Sequence, residues 1–286
     1  MNYRIRHLNR YSYTQPVSLC HNLACLQPRD TLSQQVLTSR LVIQPFVEIV
    51  TERLDVFGNR LSQFAVEELH SELSVVAESV VEVRAAKPSV APEIAWDAVT
   101  GVPAKTQVFL RPSPYIPAAS DAMHQYADQS LVPGRPILDA LTDLNRRMFE
   151  EFTYDGQFTD VDTPVEIAFN ERRGVCQDFA HVMLSMCRAK GLACRYVSGY
   201  LETEPPPGMP KLMGADASHA WVSVFMPGAG WVDFDPTNGI LPSERHITLA
   251  WGRDYGDVVP LKGLMTGGSQ HQLVVQVDVT PAEVSF

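Results

Sequence analysis

Three residues well separated in the chain have types that can act together on an acyl group: Cys176, His219 and Asp235. Cys176 stands in Gly174-Val175-Cys176-Gln177-Asp178-Phe179-Ala180-His181, with Gly174 as a breaker just ahead of it. Apolar residues at 179, 182, 183 and 186 share one helical face, and Gly191 is placed to end that helix. The spacing predicts a helix that opens at or near Cys176. Unpaired N–H groups and the positive dipole end favour a thiolate there. Taken alone, a single cysteine is more often a small buried hydrophobe.

The second candidate segment is a hairpin. Ser218-His219-Ala220-Trp221-Val222-Ser223-Val224-Phe225 alternates cleanly, then Pro227-Gly228-Ala229-Gly230 gives a turn, and Trp231-Val232-Asp233-Phe234-Asp235-Pro236-Thr237 returns. If Phe225 pairs with Trp231, Ser223 faces Asp233, Trp221 faces Asp235 and His219 faces Thr237. His219 and Asp235 then become diagonal neighbours on one face, close enough to touch. A carboxylate on a histidine fixes its tautomer and supports the imidazolium. A slip of one residue would put the two on opposite faces. Each also has an ordinary reading, as a strand histidine and as an Asp-Pro turn residue.

Together the segments give the order of a Cys-His-Asp triad. Arg173-Gly174-Val175-Cys176-Gln177-Asp178-Phe179-Ala180, Ala193-Cys194-Arg195-Tyr196-Val197-Ser198-Gly199-Tyr200, His219-Ala220-Trp221 and Phe234-Asp235-Pro236-Thr237-Asn238 closely resemble the bacterial transglutaminase-like family. Arg53-Leu54-Asp55-Val56-Phe57-Gly58-Asn59 resembles that family's β-rich N-terminal domain, and Gly252-Arg253-Asp254-Tyr255-Gly256-Asp257-Val258 matches it too. The resemblance covers nearly the whole chain. It implies a papain-like core with Cys176 as nucleophile, His219 as base and Asp235 as orienting acid, acting on a peptide or protein amide through a thioester. The backbone N–H of Cys176 is the natural first oxyanion donor. Tyr154 and Asn170, upstream of the cysteine, are candidates for a second.

Three functions fit this pattern: a cysteine peptidase or amidase, a transglutaminase joining glutamine to lysine, and a non-catalytic binding scaffold. Hydrolysis is favoured because water is always at hand, whereas transfer needs a dry channel and an amine site. A scaffold predicts loss of a triad residue, and all three are present. No cofactor is implied. No acidic cluster has calcium-loop spacing. A zinc site from Cys176, His181, His219 and Asp235 is disfavoured, since residues five apart on a helix do not stack on one face. Asp178 suits the first turn of its helix, Cys187 and Cys194 read as packed thiols, and Trp221 reads as wall or core. Arg253, Asp254 and Tyr255 could border the cleft. Pro205-Pro206-Pro207-Gly208-Met209 reads as a loop flanking it.

The elements that must hold these residues fall into two parts. Residues 1–86 alternate with period two, as at Tyr3, Ile5 and His7 and again at Leu73, Val75, Val81 and Val83, with turn signals at Gln15-Pro16, Gln44-Pro45 and Gly58-Asn59. This predicts an all-β N-terminal domain. Residues 87–116 hold Pro88, Pro92, Pro103, Pro112 and Pro114 and read as a linker. Residues 117–286 read as an α+β catalytic domain: helices over 118–129 and 136–152, a third opened by Thr163 as N-cap with Pro164 at N1, then strands over 195–201, 217–225, 231–234 and 273–279.

The composition of the 286-residue chain narrows the class further. Apolar residues are 45% and charged residues 20%, which suits a packed globular protein rather than a disordered chain. The net charge of −10, with no concentrated Lys and Arg, argues against nucleic acid as a partner. No apolar stretch is long enough to cross a bilayer, and Met1–His7 has no apolar run, so neither a membrane partner nor a secretory leader is expected. The odd count of 5 cysteines suits free thiols in a reducing cytoplasm.

Overall fold

The computed structural model describes residues 1–84, 93–203 and 218–282. The alternating N-terminal segment forms strands β1 (Asn2–Ala24), β2 (Gln34–Gln44), β3 (Val50–Leu54), β4 (Arg60–Val66) and β5 (His70–Val83), hydrogen-bonded in the order β2-β5-β1-β4-β3. The turn signal at Gln15-Pro16 does not turn the chain. Both residues lie inside β1, and the ladder with β5 shifts register between Ser12 and Val17. Proline has no N–H to give to a ladder, so the strand stays extended while its partners change. Its first half pairs with β5, and its second half pairs with β4 from Cys20 onward. Gly58-Asn59 does form the β3–β4 turn, with the Asp55 carboxylate accepting from Phe57 and Asn59 N–H.

The stretch expected to link the parts is structured where it is described. It carries 3-10 turns at Trp96–Ala98 and Ala104–Leu110, and Thr106, Phe109 and Ile116 are buried. Pro88 and Pro92 lie outside the described residues.

The helices are α1 (Asp121–Asp128), α2 (Ile137–Glu151), α3 (Val165–Glu171) and α4 (Cys176–Ala189). In α2 the stripe Ile137, Leu141, Leu144 and Met148 is completely buried, and each such side chain is worth roughly 1.5–3 kcal/mol. Helix α3 starts one residue later than expected, with Pro164 as its N-cap. Thr163 turns its hydroxyl to Asp160 instead, donating to the carboxylate at 2.8 Å. Strands β6 (Thr153–Tyr154) and β7 (Arg173–Gly174) form a short parallel pair before α4. Strands β8 (Cys194–Leu201), β9 (Ser218–Met226), β10 (Gly230–Phe234) and β11 (His246–Gly252) form an antiparallel sheet in the order β10-β9-β8-β11, and α4 packs on β8 and β9.

The last two strands depart from the expected boundary at residue 117. Both β12 (Leu261–Gly267) and β13 (His271–Pro281) pair with β1, not with the β8–β11 sheet. At 23 residues, β1 is long enough to take both in sequence along one edge. One buried cluster joins Tyr3, Ile5, Val81 and Val83 of the N-terminal sheet to α2, α4 and β8. A clasp reinforces it. Asn59 accepts from Arg29 at 2.6 Å and from Trp251 N–H at 3.0 Å, and donates to Trp251 carbonyl at 2.8 Å. Among the described residues no helix is long and apolar enough to cross a membrane.

Candidate active site

Cys176 is the first residue of α4, as its spacing predicts, and the helix ends at a Lys190 cap followed by Gly191 at φ +76°. The N-terminus is capped by Asp178. Its carboxylate accepts from Val175 N–H at 2.8 Å and from the Thr159 hydroxyl at 2.6 Å. Burial pushes the Asp178 carboxyl up against the pull of these two donors. Gly174 makes this cap sterically feasible, since a Cβ there would stand 2.5 Å from the Asp178 oxygen. Cys176 itself is partly open, whereas Cys20, Cys25, Cys187 and Cys194 are buried. Being at the helix start, its N–H has no carbonyl four residues back within the helix.

The β9–β10 hairpin has the expected register, with Trp231 opposite Phe225 and Asp233 opposite Ser223. The ladder stops at Phe234, and Asp235 bridges to Ile240 instead of pairing with Trp221. His219 and Asp235 nevertheless meet: Nε2 lies 2.7 Å from Oδ2. The Asn238 amide nitrogen lies 3.4 Å from the same Nε2, and the Cys176 thiol is near enough to favour the protonated ring. With Nε2 engaged by the carboxylate, Nδ1 is the ring nitrogen left for the sulfur. Burial disfavours charge on His219, but the bond to Asp235 and the nearness of Cys176 win and push it up to about 10. Burial likewise opposes the Asp235 charge, yet His219, His246 and Asn238 hold this carboxyl well below its usual range.

Asp235 is fully buried, and its carboxylate accepts five hydrogen bonds. Oδ1 takes the N–H groups of Thr237 at 3.0 Å and Asn238 at 3.2 Å. Oδ2 takes His219, the Asn238 side chain at 2.7 Å and His246 Nε2 at 3.0 Å. Sequence reasoning missed His246 altogether and gave Asn238 no role. Asn238 was within reach, being three residues beyond the aspartate where an amide can turn back. His246 sits on another strand, and nothing in local spacing announces its meeting with Asp235.

His219, Asp235 and His246 bring three ligand-type atoms within 4.8 Å of one another. The donor set does not fit a metal. His246 Nδ1 accepts Ser243 N–H at 3.4 Å, so the ring proton sits on Nε2, which points at Asp235 and has no lone pair to offer. His181 is turned elsewhere, its Nε2 accepting Tyr255 N–H at 3.2 Å.

The two oxyanion candidates part company. Tyr154 pairs through β6 with Gly174 and lies close enough for Cys176 and Asp178 to raise its phenol, after burial. Asn170 is on the exposed face of α3, lining a cavity of about 340 Å³ with Ala122, Gln125 and Arg172. Gln177 donates to Val161 carbonyl at 3.1 Å. Trp221 is buried behind the histidines, its ring centroid 6.1 Å from His219 and 5.3 Å from His246. Gly199 leaves it room, since a Cβ there would meet the Trp221 ring at 2.4 Å. Arg253 and Asp254 both build local structure. Arg253 pairs with Asp257 at 2.8 Å, while buried Asp254 accepts Tyr115 N–H at 3.0 Å and Gly256 N–H at 2.9 Å. The expected flanking loop at Pro205-Pro206-Pro207 lies outside the described residues.

Comparison with known proteins gives the same assignment along the chain. The family model of the bacterial transglutaminase-like N-terminal region matches residues 3–82, and that of the transglutaminase-like superfamily matches residues 124–236. An uncharacterized protein of Mycobacterium tuberculosis is 38% identical over 294 residues, covering 98% of this chain and 93% of its own. A crystal structure from Cytophaga hutchinsonii, of a protein proposed to be a cysteine protease, shares the fold with a TM-score of 0.77 at 20% identity, covering 100% of this chain and 92% of that one. A protein-glutamine gamma-glutamyltransferase of Pseudomonas aeruginosa is 29% identical over 167 residues, 57% of this chain and 24% of that protein. With both halves matched by family models and a relative aligned almost end to end, the chain belongs to the transglutaminase-like superfamily.

Proposed function

We propose that this protein is a thiol-dependent acyl-transfer enzyme, a cysteine peptidase or amidase, with Cys176, His219 and Asp235 as its triad. The observation that carries this reading is His219 held by Asp235 at 2.7 Å while lying near enough to the Cys176 thiol at the start of α4 for the thiol to favour its protonated form. With the proton on His219, the Cys176 sulfur attacks an amide carbonyl, forming an S–C bond and a tetrahedral oxyanion. The Cys176 N–H at the start of α4 stabilises that oxygen, and Tyr154 supplies the second donor. His219 then gives its proton to the departing amine as the C–N bond breaks, leaving a thioester. Water, deprotonated by His219, attacks the thioester, and the S–C bond breaks to release the acid.

Transfer to an amine is the second reading, supported by the likeness to the Pseudomonas glutamyltransferase over 167 residues. The two differ only in what reaches the thioester. A cytoplasmic location belongs to the proposal and is supported by the five free thiols. Cell fractionation tests it.

The experiment is labelling with iodoacetamide, followed by trapping of the acyl-enzyme from lysate. Cys176 should be labelled ahead of the other four cysteines, and Cys176→Ala should lose both label and acyl adduct. Ammonia or amine release without incorporation of a fluorescent amine selects hydrolysis, and incorporation selects transfer. Labelling of Cys176 no faster than that of a buried cysteine would refute the nucleophile.

A further inference from the structure

The carboxylate at the far end of the proposed triad carries a second imidazole. We propose that His246 is a positioning residue for the reaction: its Nε2–H holds Asp235 Oδ2 at the point where that oxygen meets His219. This rests on the triad reading above and extends it to a fourth side chain.

Three features of the site support this role. First, the ring is fixed in one orientation. Ser243 N–H points at Nδ1 at 3.4 Å, and the Ser243 carbonyl accepts His246 N–H at 3.0 Å, closing a loop that leaves the ring proton on Nε2. The edge of Trp221 stands against the ring at 5.3 Å and 86°, and Trp221 is itself held by its Nε1 donating to Asp233 at 3.1 Å. Second, among the described residues the partner of the Nε2–H is Asp235 Oδ2 at 3.0 Å, in a position whose side chain is 2% exposed. Third, satisfying the carboxylate does not require it. Two backbone N–H groups, the Asn238 amide and His219 already fill about the four lone-pair sites a carboxylate offers. The fifth donor falls on Oδ2, the same oxygen that receives His219, and so bears on where that imidazole is held.

The test uses the full chain and iodoacetamide, so it needs no substrate. His246→Leu removes the donor, and His246→Gln places an amide N–H where Nε2 was. Alkylation of Cys176 should slow about tenfold or more in His246→Leu, by analogy with the size of effect that hydrogen-bond partners of metal-bound histidines have. His246→Gln should recover most of the rate. Long-range ¹H–¹⁵N spectra of histidine-labelled wild-type protein should show His246 as the Nε2–H tautomer. Wild-type alkylation in His246→Leu, equal slowing in both variants, or the Nδ1–H tautomer would each overturn the proposal. If His246→Leu does not fold, the wild-type spectrum and His246→Gln still decide. His219→Ala separates the two levels. Slow alkylation there with normal alkylation in His246→Leu refutes the positioning role alone, whereas normal alkylation in His219→Ala refutes the triad.

Discussion

At Asp235 a carboxylate with no exposed surface stays ionised because five hydrogen bonds replace the water it has lost. The imidazole beside it gains the complementary preference, and the pair links pH to stability. His219 is raised from 6.5 to about 10, so its contribution is fully present below pH 6.5 and is lost as pH rises through about 10. Asp235 is lowered from 3.8, so its contribution is present above pH 3.8 and is lost as pH falls through its folded value. Between pH 6.5 and 10 the wild-type urea midpoint should therefore fall, and Asp235→Asn, which removes the partner of the imidazolium, should flatten that slope. Parallel slopes in the two proteins would mean that the pair does not carry the effect. At this scale the sequence was legible for chemical type but not for partnership. His219 and Asp235 could be matched through a hairpin register, while His246, eleven residues beyond Asp235 and on the far side of β8 from β9, could not.

The helix that begins at Cys176 shows how one element is built to present one atom. Its apolar face at Phe179, Val182, Met183 and Met186 is buried, which fixes the rotation of α4 and leaves Cys176 at the open end. Gly174 and Asp178 hold that end. Because a Cβ on Gly174 would lie 2.5 Å from Asp178 Oδ2 and 2.8 Å from its Cβ, Gly174→Ala must displace the cap. It should cost about 1–3 kcal/mol, the usual range for overpacking, read as a lower urea midpoint. It should also slow Cys176 alkylation, because the first turn moves with its cap. A fall in stability with unchanged alkylation would uncouple the two. The helix and both hairpin strands were legible because amphipathic periodicity is local. The start of α3 was misread at Thr163 because the competing partner, Asp160, lies three residues upstream and outside the capping pattern.

The two halves of the molecule are joined through shared core and through Asn59. The N-terminal Asp55-Val56-Phe57-Gly58-Asn59 turn reaches β11 by hydrogen bonds from Asn59 to both backbone groups of Trp251, and Arg29 lies over the Trp251 ring at 3.2 Å. Arg195 stacks on the same indole at 3.6 Å. Asn59 is completely buried, so Asn59→Ala leaves Arg29 and Trp251 groups unpaired and should cost about 2–4 kcal/mol. Wild-type unfolding followed by tryptophan fluorescence and by far-ultraviolet circular dichroism should give one coincident transition, as one continuous core requires. Separate transitions in the wild type would show that the halves fold independently. Coincident transitions in the wild type that separate in Asn59→Ala would identify the clasp as the coupling element.

The sequence by itself determined the family, the helix that begins at Cys176, the register of the β9–β10 hairpin and the β character of the N-terminal half. Each of these depends on residue type and on spacing along a few turns or a few pleats. The tertiary structure decided that β12 and β13 return to β1, that Asp235 leaves its ladder to meet a second histidine, and that an N-terminal turn binds the core. Those contacts join residues 11 to more than 250 positions apart, so they follow from how the whole chain buries its apolar surface and satisfies its buried polar groups.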